Sequence, residues 1–168
     1  MERQIEIMAP AGNFEALMAA IQGGANSIYF GVENLNMRSH SANNFTMADL
    51  PEITRICSEN NVKSYLTLNI IMYNEDLEKG KQTLQAALDA GVSAVIASDI
   101  SVILYARSIG LEVHISTQAN ISNIEAVRFY SQFADVVVLA RELNMEQVKE
   151  IHNQIIEQNI CGPSGRLV

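Results

Sequence analysis

Short apolar runs alternate with amphipathic stretches along the chain, and each apolar run ends in a polar segment. Residues 5–9, 27–30, 62–68, 94–97, 112–115 and 136–139 read as strands, with helical patterns between them. Asn13 is placed to cap a helix over residues 14–22, and Gly23-Gly24 to close it. Thr46, with Asp49 three positions on, predicts a capped helix after the unusually long connection 31–46. Further helices are expected over about 75–90, from Ser98 or Asp99 to about 110, after Ser122 or Asn123, and up to about 158. The returns share one form. Gly24-Ala25, Asn61-Val62, Gly91-Val92 and Gly110-Leu111 each set a turn-forming residue before an apolar one.

Strands alternating with helices predict an α/β fold with a parallel sheet. An open doubly wound sheet usually carries a G-x-G-x-x-G turn after an early strand, and this sequence has none. Period-two alternation groups Tyr65, Thr67 and Asn69 on one strand face, opposite Leu66 and Leu68. It likewise groups His114, Ser116 and Gln118 opposite Val113 and Ile115. Strands of a doubly wound sheet are apolar on both faces, so these polar ladders point to the lumen of a (β/α)8 TIM-like barrel. A full barrel needs eight units and roughly 250 residues. About six are present, which predicts an incomplete or open barrel over 1–160, with 161–168 a tail leading into a further C-terminal part. Open sheet edges of this kind predict a homo-oligomer, or pairing with that C-terminal region.

Composition narrows the functional classes. The 168 residues are 48% hydrophobic, with mean hydropathy +0.08, as in an ordinary globular protein. No run approaches the ~20 apolar residues of a membrane span, and the N-terminus lacks the apolar core of a secretory signal, so the cytoplasm is expected. A net charge of −8 argues against a broad nucleic-acid surface. Cys57 and Cys161 are far apart and make no C-x-x-C pair, so no cofactor is expected within this chain, and one copy cannot assemble a four-cysteine iron–sulfur site.

His114 and Ser116 lie two apart on one strand, which allows a base beside a nucleophile or simply a polar pair lining a pocket. Ser116-Thr117-Gln118-Ala119-Asn120 is a dense run of neutral donors and acceptors, suited to a carbonyl, amide or nucleobase edge. Arg141 ends a strand, where a guanidinium can grip a carboxylate or phosphate, or can pair with Glu142. Arg38 in the long connection is a similar candidate, with surface solvation as the alternative. Asp99 reads as a helix cap or as an acid–base group. Neither H-E-x-x-H nor G-x-S-x-G occurs, so no hydrolase mechanism can be written from the residues alone.

The loop motifs carry a resemblance. Ala9-Pro10-Ala11-Gly12-Asn13, Tyr29-Phe30-Gly31, Asn43-Asn44-Phe45-Thr46, Thr67-Leu68-Asn69-Ile70, Ser116-Thr117-Gln118-Ala119-Asn120 and Leu139-Ala140-Arg141-Glu142-Leu143, in that order, resemble the collagenase-like peptidase family, whose catalytic type is unassigned. Cys161-Gly162-Pro163-Ser164-Gly165-Arg166 is similar to a further family segment. The resemblance implies the N-terminal catalytic region of a barrel-like protein. It implies either a peptidase or oxygen-independent hydroxylation of tRNA or rRNA bases, or of a quinone precursor. RNA or peptide would be the substrate, and Asn69, Gln118, Arg141, Glu142 and Arg38 candidate substrate contacts. Some relatives depend on prephenate and on an iron–sulfur cluster whose cysteines follow the strand after Arg166.

Overall fold

The computed structural model describes residues 5–33 and 45–168. Six strands, β1 (Met8–Pro10), β2 (Ser27–Phe30), β3 (Lys63–Leu68), β4 (Ala94–Ala97), β5 (Val113–Ile115) and β6 (Val136–Val137), form one all-parallel sheet in sequential order. The sheet curls into a half-barrel. Helices α1 (Phe14–Gln22), α2 (Leu50–Glu59), α3 (Leu77–Asp89), α4 (Ile100–Ser108), α5 (Ile124–Tyr130) and α6 (Met145–Glu157) alternate with the strands. The expected incomplete barrel is therefore the observed fold. Among the described residues no helix is long and apolar enough to cross a membrane.

The recurring return is a helix-ending motif with a physical cause. Gly24, Asn61, Gly91, Gly110 and Asn159 all have positive φ, the conformation that glycine and asparagine adopt at least cost. The residue after each donates its N–H to the carbonyl five positions back: Ala25 to Ala20, Val62 to Cys57, Val92 to Ala87, Leu111 to Ala106 and Ile160 to Ile155, at 2.9–3.1 Å. That 6→1 bond is the Schellman cap. It satisfies helix-end carbonyls and delivers an apolar residue, partly buried at Val62 and buried at the other four, into the segment that follows. At the other ends, Asn13, Asp99, Asn123 and Asn144 accept bonds from first-turn amides. Asp99 thus serves as a helix cap.

Alternation along the strands divides two environments. Ile28, Phe30, Leu66, Leu68, Val95, Ala97, Val113 and Ile115 join helix residues such as Leu17, Ile53, Leu84, Ile103 and Val127 in the main core. Tyr65, Ala94 and Ile96, with Tyr29 against them, form a separate cluster on the other face, which is the lumen. Registers set Thr67 beside Ile96, Ile96 beside His114 and His114 beside Val136, one layer across four strands.

The two free edges depart from the pattern. The first strand is expected over residues 5–9 but spans Met8–Pro10, because Met8 is the residue that pairs with Ser27 at the start of β2. Ile5 and Ile7 remain exposed. At the opposite edge β6 is two residues long, although Val138 still donates to the Ile115 carbonyl and Leu139 bridges Ile121. Residues 161–168 fold back as a turn. Gly162 donates to the Arg166 carbonyl, Ser164 to Asp135 Oδ1 at 2.7 Å, and Val168 to the Ile160 carbonyl.

Candidate functional site

Parallel strands place all their C-terminal ends at one mouth of the lumen. Asn69 follows β3, Ser98 follows β4, Ser116 and Gln118 follow β5, and Arg141 and Glu142 follow β6. The structure brings three of these together. Asn69 Nδ2 donates to Ser116 Oγ at 3.2 Å, and Ser98 Oγ donates to the Asn69 carbonyl at 3.3 Å. Ser116, itself buried, also accepts from the Gln118 amide at 3.3 Å, starting a 3₁₀ turn over Thr117–Ala119. That turn ends at Asn120, whose positive φ closes it.

A hydroxyl has one proton and two lone pairs. Both lone pairs of Ser116 are engaged, so its own O–H is the group left to donate. Its neighbours' protons are committed: Thr67 Oγ1 to the Phe30 carbonyl and Ser98 Oγ to the Asn69 carbonyl. The rim therefore holds a buried hydroxyl whose proton has no acceptor among the described residues.

His114 goes elsewhere. Its Nε2 meets Glu112 Oε1 at 3.0 Å, and its ring packs edge-on to Tyr65 at 4.6 Å between centroids. Glu112 also accepts from Arg166 at 3.1 Å, and Tyr65 donates to Glu6 Oε1 at 2.6 Å. Lys63 pairs with the other Glu6 oxygen at 2.7 Å. These groups line the strands' N-terminal ends, the end that in barrels serves stability. Among the described residues no bond joins His114 to Ser116. The sequence alone does not single out an orienting partner for His114. The signal was available, because Glu112 is two residues before it on the same face; Arg166, from the tail, was not legible.

Burial raises the Glu6 carboxyl's affinity for its proton, but the bonds from Lys63 and Tyr65 outweigh it and hold the pKa down to about 2. Burial and the Glu6 carboxylate push the Tyr65 phenol up, so it stays a donor. Because Glu6 is depressed in the fold, its stabilisation is complete above its ordinary value and lost as pH falls from about 4.5 toward about 2. Glu6 is solvent-accessible, which reduces the effect to about 1 kcal/mol. Acid titration of Glu6→Gln should accordingly give a flatter stability profile below pH ~4.5 than the parent; superimposable profiles would contradict this.

Arg141 and Glu142 are both exposed and, among the described residues, form no ion pair with each other or with a neighbouring loop. Gln118 is exposed on the same rim. Arg38 lies outside the described residues. The cysteines do not fit an iron–sulfur cluster. Cys57 is buried in α2, its thiol pushed up to about 11 by burial, while Cys161 is in the tail. Among the described residues no three His, Cys, Asp or Glu side chains are grouped to hold a metal.

Residues 12–161 match the model of peptidase family U32. The chain belongs to that family. A collagenase of Porphyromonas gingivalis strain W83 is 60% identical over 97% of this U32 chain, and the tRNA hydroxylation protein P1 of Bacillus subtilis is 36% identical over 97%. The alignments cover 39% and 41% of those proteins, so the chain spans about two fifths of the length of these relatives. The solved structure of the U32 peptidase Mk0906 superposes with a TM-score of 0.73, covering 91% of this chain and 66% of that one at 15% identity, which shows a shared fold. Relatives in this U32 family thus carry both protease and RNA-hydroxylation names.

Proposed function

We propose that this U32 chain forms the substrate-binding rim of an RNA-modifying hydroxylase acting on a base of tRNA or rRNA. The observation that supports the reading is the state of Ser116: both lone pairs accept hydrogen bonds, and among the described residues no base stands ready to take its proton. Nucleophilic serine catalysis needs a base within hydrogen-bond reach. A donor on a polar rim suits a base carbonyl, with the Gln118 side chain exposed on that rim and the Arg141 guanidinium, unpaired among the described residues, available for a phosphate or a small carboxylic acid such as prephenate. In this reading the residues of the chain bind and orient, and no covalent step is assigned to them. An iron–sulfur cluster would need ligands from elsewhere.

The 60% identity to a protein named collagenase favours a second reading, a peptidase. There Ser116 would have to exchange its present bonds for one to a base.

Nucleoside mass spectrometry of tRNA and rRNA from a deletion strain separates the two. Loss of one hydroxylated nucleoside is the expected outcome. An unchanged nucleoside profile would refute the RNA reading.

A further inference from the structure

The pairing between β5 and β6 is interrupted and then resumed. Ile115 pairs with Val137, and beyond the strands Ile121 bridges Leu139. From 115 to 121 one segment advances six residues, while from 137 to 139 its neighbour advances two. The polar turn over residues 116–120 is therefore an excursion from a parallel ladder, pinned at both ends by the same neighbouring segment. Val138 donates to the Ile115 carbonyl at 3.0 Å before it, and Ala140 to the Ile121 carbonyl at 2.8 Å after it. Within the excursion, Ala119 donates to the Ser116 carbonyl and Asn120 to the Thr117 carbonyl, both at 3.0 Å. Ile121 is fully buried in the main core, which fixes the point of return.

That return depends on one residue. Asn120 has φ 52° and ψ 43°, the left-handed conformation that glycine and asparagine reach at least cost and β-branched residues resist. Its side chain is exposed and makes no hydrogen bond among the described residues, so the position calls for a backbone conformation rather than a polar group. The next residue, Ile121, holds Ala140, and Arg141 follows Ala140 directly. We propose that Asn120 is a positioning residue: its left-handed turn keeps the backbone that carries Arg141 in register with the turn that begins at Ser116, so that one nucleotide can meet both groups. This rests on the RNA reading above, in which Ser116 takes a base carbonyl and Arg141 an anion. It makes the relative placement of the two a property of residue 120, which touches neither ligand group.

Calorimetric titration of the intact protein with cytidine 5′-monophosphate, which carries a base carbonyl and a phosphate, tests this. Asn120→Gly should bind within about twofold of the parent, because glycine adopts the same backbone without steric cost. Asn120→Val should bind about fivefold more weakly, the scale of one hydrogen bond, with Asn120→Ala between the two. Arg141→Gln should cost at least as much, and adding Asn120→Val to it should cost little more, because both changes act on one contact. Thermal melts identify a variant that fails to fold, and if Asn120→Val does, the same comparison is made with Asn120→Ala. Losses that multiply in the double variant, or an Asn120→Val that binds like the parent, overturn the assignment and leave the RNA reading standing. Asn120→Gly as weak as Asn120→Val also overturns it, since the side chain rather than the turn would then matter. A parent protein that does not bind the nucleotide overturns both.

Discussion

Phe30→Ala should lower the stability of the folded chain by about 3–5 kcal/mol, the largest single-residue effect expected in this fold. Phe30 is fully buried at the C-terminal end of β2, edge-on to Phe45 at 5.8 Å between centroids, and Phe45 is edge-on to Phe14 at 5.1 Å. The three rings join β2, α1 and the end of the long connection, which Val32 and Phe45 also bridge. Truncation removes the transfer energy of the ring and leaves a cavity that rigid β-structure cannot close. For a domain of this size each kcal/mol moves the melting temperature by about 2–4 °C, so a drop of roughly 10 °C is expected by calorimetry. A shift under about 3 °C would mean that the ring stack does not hold the mouth of the lumen together.

The largest functional effect is expected at Ser116, and its size separates the two readings. As a hydrogen-bond donor to a neutral base carbonyl, Ser116 contributes about 0.5–1.5 kcal/mol, so Ser116→Ala should cost roughly 2- to 13-fold in efficiency. As a nucleophile its loss would cost on the order of a millionfold. Complementing the deletion strain with the full-length gene carrying Ser116→Ala should leave the hydroxylated nucleoside reduced but detectable. Complete loss, with the protein folded and expressed, would contradict a donor role.

Most of the scaffold was legible because local and global signals agree. Alternation separated Leu66 and Leu68 from Tyr65, Thr67 and Asn69, and the same division separates the core from the lumen in the fold. The turn residue and the apolar residue after four of the helices marked the short returns, and their hydrogen bonds make them Schellman caps. The edges were less legible, because a strand needs a partner. Ile5 and Ile7 are apolar, but they precede the residue at which β1 begins pairing with β2. In the site, spacing placed His114 and Ser116 on one face but could not show that the histidine turns toward the N-terminal end. Its direction is set by Glu112, Tyr65 and a tail arginine 54 positions from that glutamate.

Incubation of the intact protein with a serine-reactive fluorophosphonate, followed by intact-mass measurement and peptide mapping, tests the central claim most directly. An oxygen that accepts two hydrogen bonds and faces no base among the described residues should not be phosphonylated, so the predicted mass is that of the unmodified chain. A single adduct mapping to Ser116 and absent from Ser116→Ala would show an activated nucleophile, and the binding-rim account would be wrong.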